Sequence, residues 1–292
     1  MVPALEIPAL NVPYLLNKYK LYPKKKLGQN FLIDPQAVEK IIQAAEISKN
    51  CLVLEIGPGL GSLTRYLAAK AQVVIAIELD ASLIPALEEV LQPWENIHLV
   101  RGDILKFNLD PLLAILLHEK GPSQPQDFMV VANIPYNITS HLIRHLLEMK
   151  VKPSRLILTI QREVAERICA APGDLSLLAL GVQVYGKPKQ VVRIPAGAFY
   201  PPPKVDSATL RIDLYPQPLI PSEQLDSFFL LARAGFQQKR KNLRNALSSL
   251  PGLNQQISER LLTAAGIDPT RRAQSLSLEE WQNLVEVYLK SR

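Results

Sequence analysis

The sequence predicts an α/β domain built on a mostly parallel sheet, followed by a small all-α domain, and three observations carry that prediction. First, Leu52-Val53-Leu54-Glu55-Ile56 is a short apolar run that passes straight into Gly57-Pro58-Gly59-Leu60-Gly61. Such a run reads as a strand buried on both faces. The glycines let the backbone turn and approach a ligand with no Cβ in the way. Leu63, Tyr66, Leu67 and Lys70 come next at helical spacing, which completes the strand, glycine turn and helix that open a nucleotide-binding α/β domain. Second, apolar runs recur at residues 73–77, 97–100, 128–132 and 156–160 with helical stretches between them, the alternation expected of a parallel sheet. Third, prolines cluster over residues 215–221, and the chain beyond them reads as helical only.

The elements come in chain order. Residues 1–20 read as an extension, apolar and Pro-rich at its start but without the basic segment and cleavage site of a signal peptide. Lys24-Lys25-Lys26 is either a solvated surface or a phosphate contact. Asp34-Pro35 caps a helix that buries Val38, Ile41, Ile42 and Ala45. The second strand ends in Glu78, where an acid can accept from both ribose hydroxyls. A helix runs through Leu83, Leu87 and Val90 to the third strand, and Asp103 comes after it. That aspartate is either a turn residue or an acceptor for an adenine amine.

A Leu-rich helix and a Gly-Pro-Ser-Gln-Pro-Gln loop occupy residues 108–127. The fourth strand enters Asn133-Ile134-Pro135-Tyr136, where Pro135 stops the strand and biases Ile134 toward extended geometry. The plain reading is a turn with a buried tyrosine. The chemical reading is an amine site. The Asn133 side-chain oxygen and the Ile134 carbonyl hold the hydrogens of an adenine N6, and the Tyr136 ring stacks on the base. Residues 161–170 read as a helix, and 180–185 with 208–214 as a final antiparallel pair. Between these, Phe199-Tyr200-Pro201-Pro202-Pro203-Lys204-Val205-Asp206-Ser207 is stiff and extended, either a spacer or a holder of Phe199 against a base. The boundaries expected are 1–20, 21–215 and 216–292. In the last segment Ser222 and Asp268-Pro269 start helices, and Ser277 with Glu280 forms a capping box. Arg233, Lys239, Arg240, Lys241 and Arg244 form an acid-free basic run there, either a solvated helix face or a nucleic-acid contact.

The whole composition narrows the class. A chain of 292 residues, 48% hydrophobic, with a net charge of +6 has a sizeable core and suits a polyanionic partner. Its two cysteines, Cys51 and Cys169, form neither a disulfide framework nor a metal pattern, so no metal and a reduced, cytoplasmic setting are expected. No apolar run approaches the roughly 18 residues of a membrane span. The glycine spacing is G-x-G-x-G rather than the dinucleotide G-x-G-x-x-G, and Glu55 precedes it. An acid there is badly placed for a pyrophosphate. It suits the amino-acid moiety and sulfonium of S-adenosylmethionine. A nicotinamide dehydrogenase is disfavoured on the same ground.

Four stretches together carry a resemblance. Leu27-Gly28-Gln29-Asn30-Phe31-Leu32, Glu55 to Gly61, Asn133-Ile134-Pro135-Tyr136 and Phe199 to Ser207 resemble the ribosomal RNA adenine dimethyltransferases. Residues 240–247, Arg-Lys-Asn-Leu-Arg-Asn-Ala-Leu, are similar to the housekeeping KsgA/RsmA branch. The resemblance implies a Rossmann-like methyltransferase domain that uses S-adenosyl-L-methionine to convert two adjacent adenosines near the 3′ end of small-subunit ribosomal RNA to N6,N6-dimethyladenosine. It implies an immature small ribosomal subunit as partner, no membrane and a monomer. It places Asn30, Leu32, Gly57 and Gly59 against the cofactor, Glu78 against its ribose, and Asp103 against its adenine with Ile104 also in the cofactor set. Asn133 serves both cofactor and target amine, and Tyr136 and Phe199 enclose the base. The RNA contacts expected from the charge pattern are Lys24, Lys25, Lys26, Lys239, Arg240, Lys241 and Arg244. A DNA adenine methyltransferase, which shares the Asn-x-Pro-Tyr logic, and a binding-only assembly factor stand as the rivals.

Overall fold

The computed structural model describes residues 7–113, 127–238 and 240–291. Lys239, and most of the Leu-rich helix and proline loop expected over residues 108–127, lie outside the described residues. The chain forms two compact units, one reaching Ala165 and resuming over Lys189–Leu214, the other made of Glu166–Pro188 and the residues from Tyr215 onward.

The first unit is organised by its strands, all lying within it but for the first three residues of β7: β1 (Phe31–Leu32), β2 (Cys51–Ile56), β3 (Val73–Glu78), β4 (Ile97–Arg101), β5 (Asp127–Asn133), β6 (Arg155–Gln161), β7 (Gly186–Ile194), β8 (Phe199–Tyr200) and β9 (Ser207–Leu214). Seven of them form one sheet in the order β4-β3-β2-β5-β6-β9-β7. The pairs β2–β3, β2–β5, β3–β4 and β5–β6 are parallel, and β6–β9 is antiparallel. All six residues of β2 are buried. This is what a central parallel strand covered on both faces requires. The helix Pro35–Ala45 turns Val38 and Ile41 into one core with Val53, Leu67, Val131 and Ile157. Each such side chain contributes roughly 1.5–3 kcal/mol by leaving water.

The extension is built into this unit from residue 7 onward. Val12–Lys18 is a helix whose Asn11 side chain accepts from the Tyr14 amide. Val12, Leu15 and Leu16 are buried in a cluster with Phe31, Leu60 and Leu83. Arg65 Nη1 donates to the Pro8 carbonyl at 2.8 Å, and Lys18 pairs with Glu89 at 2.6 Å. The expected separation at residue 20 does not hold, because the apolar face of this helix is a wall of the first unit.

The expected strand over 180–185 is corrected as well. Leu177–Gln183 is a helix, capped by Ser176, whose side chain accepts from the Ala179 amide. Leu175, Ala179, Leu180 and Val184 are buried in one cluster with Phe228, Leu231 and Trp281. Residues 166–188 therefore join the helical unit, and the expected single span 21–215 is interrupted there. The antiparallel strand beside β6 is β9, and the neighbour of β9 on its other side is β7. In the second unit the helices Leu225–Gln237, Leu243–Leu247, Gln255–Ala264 and Leu278–Lys290 surround Trp281. Phe228 meets that indole edge-on with ring centroids 6.3 Å apart. Gly235 allows the approach, since a Cβ there would lie 3.0 Å from the indole. Ser277 and Glu280 form the expected capping box.

The strand order fixes where a ligand sits. From β2 the chain builds outward through β3 and β4, then returns to the other side of β2 with β5 and β6. The connections after β2 and β5 diverge, and open α/β sheets bind their ligands in the crevice that this leaves at the carboxyl ends.

Candidate active site at the carboxyl edge of the sheet

One cavity opens at that crevice. It is lined by Asn30, Leu32, Gly57, Gly59, Glu78, Asp103, Ile104, Asn133 and Tyr136, every residue expected at the cofactor together with two of the three expected at the base. Gly57 turns the chain out of β2 at φ 69°, and a Cβ built there has no atom within 4 Å. Gly59, at φ 62°, sits where a Cβ would press on the Phe31 ring at 3.0 Å. Both adopt the left-handed backbone that favours glycine, and Gly59 adds a close approach to its neighbour.

Glu78 ends β3 and is buried. Its Oε1 accepts from the Asp80 amide at 2.7 Å and its Oε2 from the Gly59 amide at 3.1 Å. Burial raises its carboxyl above the ordinary value, against those two amides. A carboxylate oxygen has about two acceptor sites, so each retains capacity for a hydroxyl. Asp103 comes after β4, and its Oδ1 accepts from the Leu105 amide at 3.1 Å. The turn that this bond closes holds the carboxylate at the cavity, so the turn role and the ligand role are compatible.

Glu55, one residue before the end of β2, also lines the cavity. It is 1% exposed, and its Oε2 has no hydrogen-bond partner. Burial pushes its carboxyl up to about 8; the Thr64 hydroxyl opposes this and the charge of Glu78 reinforces it.

Asn133 ends β5. Its Nδ2 donates to the Asn30 carbonyl at 3.0 Å, and the next residue is held by the Ile134 amide donating to the Thr159 carbonyl at 3.0 Å. One of the two N–H groups of the Asn133 amide is thereby engaged, which fixes the orientation of the side chain and of its Oδ1 acceptor. Tyr136 opens a 3-10 turn after Pro135. Its hydroxyl lies 2.6 Å from Ser207 Oγ. Burial raises the phenol above its ordinary value, so it is neutral near pH 7.

Phe199 is the exception. It is 2% exposed and packed in the core with Leu32, Val38 and Ala198. It is absent from the cavity lining. The reason is local pairing. β8 runs antiparallel to β1, with Leu32 opposite Phe199 and Phe31 opposite Tyr200. Successive strand residues face opposite ways, which buries Phe199 and leaves Tyr200 39% exposed.

The basic residues divide likewise. Lys25, Lys26, Arg233, Arg240 and Lys241 are exposed. Lys24 donates to Asp80 Oδ1 at 2.6 Å and to Ser82 Oγ at 2.9 Å. Arg244 Nη1 pairs with Glu259 at 3.2 Å. Gln29 and Asp80, given no role from the sequence, are joined across 51 residues by a hydrogen bond of 2.8 Å.

Comparison with known proteins gives the family. Residues 21–290 match the model of the family described as ribosomal RNA adenine dimethylase. The chain belongs to that family. Among its curated relatives, a "Ribosomal RNA small subunit methyltransferase A" of Moorella thermoacetica is 44% identical over 272 residues, covering 92% of this chain and 94% of the relative. The protein of the same name from Dehalococcoides mccartyi is 43% identical over 274 residues, covering 94% and 91%. The crystal structure of a dimethyladenosine transferase from Plasmodium falciparum matches with a TM-score of 0.71 at 26% identity, over 89% of this chain and 98% of that one. An adenine dimethylase of this family depends on S-adenosylmethionine, and the residues present fit it. A buried carboxyl oxygen of Glu55 in the cavity has no hydrogen-bond partner, and the Glu78 carboxyl has acceptor capacity for a hydroxyl. Among the described residues no helix is long and apolar enough to cross a membrane.

Proposed function

We propose that this chain dimethylates the N6 amines of two adjacent adenosines near the 3′ end of small-subunit ribosomal RNA, acting as a cytoplasmic monomer on the immature small subunit. The observation that carries the reading is the Asn133–Asn30 hydrogen bond at the lip of the cavity. With one N–H held by Asn30, Asn133 offers Oδ1 to one hydrogen of a target amine, and the Ile134 carbonyl is next in line for the other. Two acceptors on N6 favour the pyramidal geometry in which its lone pair is free to attack.

S-adenosylmethionine, when bound, supplies a sulfonium methyl that is already strongly electrophilic. The protein's part is placement. Glu78, Asp103 and the Gly57 turn orient the cofactor, while Asn133 and Tyr136 hold the base. Most of the rate then comes from orientation and preorganised dipoles. Taking the adenine out of its stack costs a few kcal/mol, and stacking on Tyr136 offsets about 1–3 kcal/mol of that. Arg233, Arg240 and Lys241 act as phosphate contacts in the helical unit, and Lys25 and Lys26 do so in the first.

The test is transfer of radiolabelled methyl to undermethylated small subunits, with large subunits and duplex DNA as parallel substrates, and then nucleoside analysis. Dimethyladenosine confined to the small-subunit RNA supports the reading. Label in DNA or in large-subunit RNA overturns it.

A further inference from the structure

Asp80 lies two residues past Glu78 and is 5% exposed. It caps its own turn through Ser82, accepting from the amide at 3.0 Å and the hydroxyl at 2.6 Å. That alone is an ordinary turn aspartate. It also receives two donors from a segment more than fifty residues earlier: Lys24 Nζ on Oδ1 at 2.6 Å and Gln29 Nε2 on Oδ2 at 2.8 Å. Gln29 closes the segment on itself, its Oε1 accepting from the Lys24 amide at 2.7 Å. The next residue, Asn30, supplies the carbonyl that fixes Asn133. At the other end, the Asp80 amide donates to Glu78 Oε1.

We propose that Asp80 is a positioning residue: its contacts to Lys24 and Gln29 hold residues 24–30 against the cavity and so keep both the Asn133 amide and the Glu78 carboxylate in their working orientation. This rests on the function proposed above. An ion pair at the surface contributes little by itself, and the Lys24 side chain is 48% exposed. The Asp80 side chain, however, is only 4% exposed, and a buried carboxylate deprived of its partners is unfavourable. The segment therefore stays closed because Asp80 requires its donors. None of the three residues is in the cofactor set, and Lys24, expected to meet phosphate, is engaged by Asp80.

The clamp is tested on the full-length chain with Lys24→Gln, Gln29→Ala, Asp80→Asn and the Lys24→Gln/Asp80→Asn double variant. Lys24→Gln and Gln29→Ala spare the Ser82 cap, so they remain informative if Asp80→Asn folds poorly. Four quantities are read: tryptic cleavage after Lys25 and Lys26, calorimetric affinity for S-adenosylhomocysteine, kcat and KM for methyl transfer, and melting temperature. Opening of the segment speeds cleavage. Loosening of Asn133 lowers kcat about tenfold, within the hundredfold that a small misplacement can cost, with melting temperature near that of the wild type. The double variant is no worse than Asp80→Asn alone, the non-additivity of residues that act as a unit. Wild-type cleavage and kcat in Lys24→Gln and Gln29→Ala, or additive effects in the double variant, overturn the clamp. A wild-type protein that methylates no RNA would instead overturn the proposed function, while the cleavage cycle still decides the clamp.

Discussion

The side-chain amide of Asn133 donates to the main-chain carbonyl of Asn30 across 103 residues of sequence, at 3.0 Å. The end of β5 and the segment before β1 thus share one hydrogen bond, and its direction sets the orientation of the Asn133 amide. Asn133→Asp puts an anionic oxygen against the Asn30 carbonyl and reverses that arrangement. Methyl transfer is expected to fall by about a hundredfold or more, the cost of a misplaced reacting group. Cofactor affinity should change by less, because Glu78 and Asp103 are untouched. Near-normal kcat in Asn133→Asp would show that the amide does not handle the substrate amine.

Glu55 gives a pH dependence with a definite sign. Burial pushes its carboxyl up to about 8 from an ordinary 4.5. Between those values the folded chain binds more protons than the unfolded chain, so this group's stabilising contribution is full below about 4.5 and falls as pH rises through about 8. The Glu55→Gln variant lacks that dependence. Its melting temperature should decline less than the wild type's between about pH 5 and about pH 8. Parallel melting curves against pH for the two proteins would mean that Glu55 titrates normally.

How far the sequence could be read depends on how local each signal is. The turn at Gly57 and the acids Glu78 and Asp103 are set by residues within one strand-to-helix step, and the structure brings them to one cavity. Residues 180–185 carry apolar side chains at 180, 182 and 184, which satisfy a strand period, while 177, 180 and 184 satisfy a helical one. Ser176 and the cluster around Trp281 decide for the helix, and that cluster is tertiary. The burial of Phe199 and the exposure of Tyr200 are tertiary for the same reason, since their facing is fixed by pairing with Leu32 and Phe31. The partner of Lys24 lies 56 residues away, out of reach of any pattern in the sequence.

The basic residues of the helical unit should act through phosphate. Arg233, Arg240 and Lys241 are exposed, whereas Arg244 is paired with Glu259. Replacing the first three with Gln should flatten the slope of log affinity for small-subunit RNA against log salt by about two to three units, at roughly 0.7–0.9 for each phosphate no longer neutralised. Arg244→Gln should leave the slope nearly unchanged. An unaltered slope in the triple variant would assign those three residues to a solvated face.

Tyr136 offers the sharpest separation of stability from chemistry. Its hydroxyl is 2.6 Å from Ser207 Oγ, and Ser207 is fully buried. Its ring lines the cavity beside Asn133. Tyr136→Phe removes the hydroxyl and leaves the buried serine without that partner, a loss of about 1–3 kcal/mol of stability. It keeps the ring, and stacking needs no hydroxyl, so methyl transfer should stay within about tenfold of wild type. Tyr136→Ala removes the same hydrogen bond and the ring as well. Stacking worth about 1–3 kcal/mol disappears, and the alignment of the amine loosens with it, so transfer should drop by about a hundredfold or more while cofactor affinity holds. The two variants therefore share most of their loss in melting temperature and differ in activity. If Tyr136→Phe is as inactive as Tyr136→Ala, the hydroxyl and its bond to Ser207 carry the function and the ring does not.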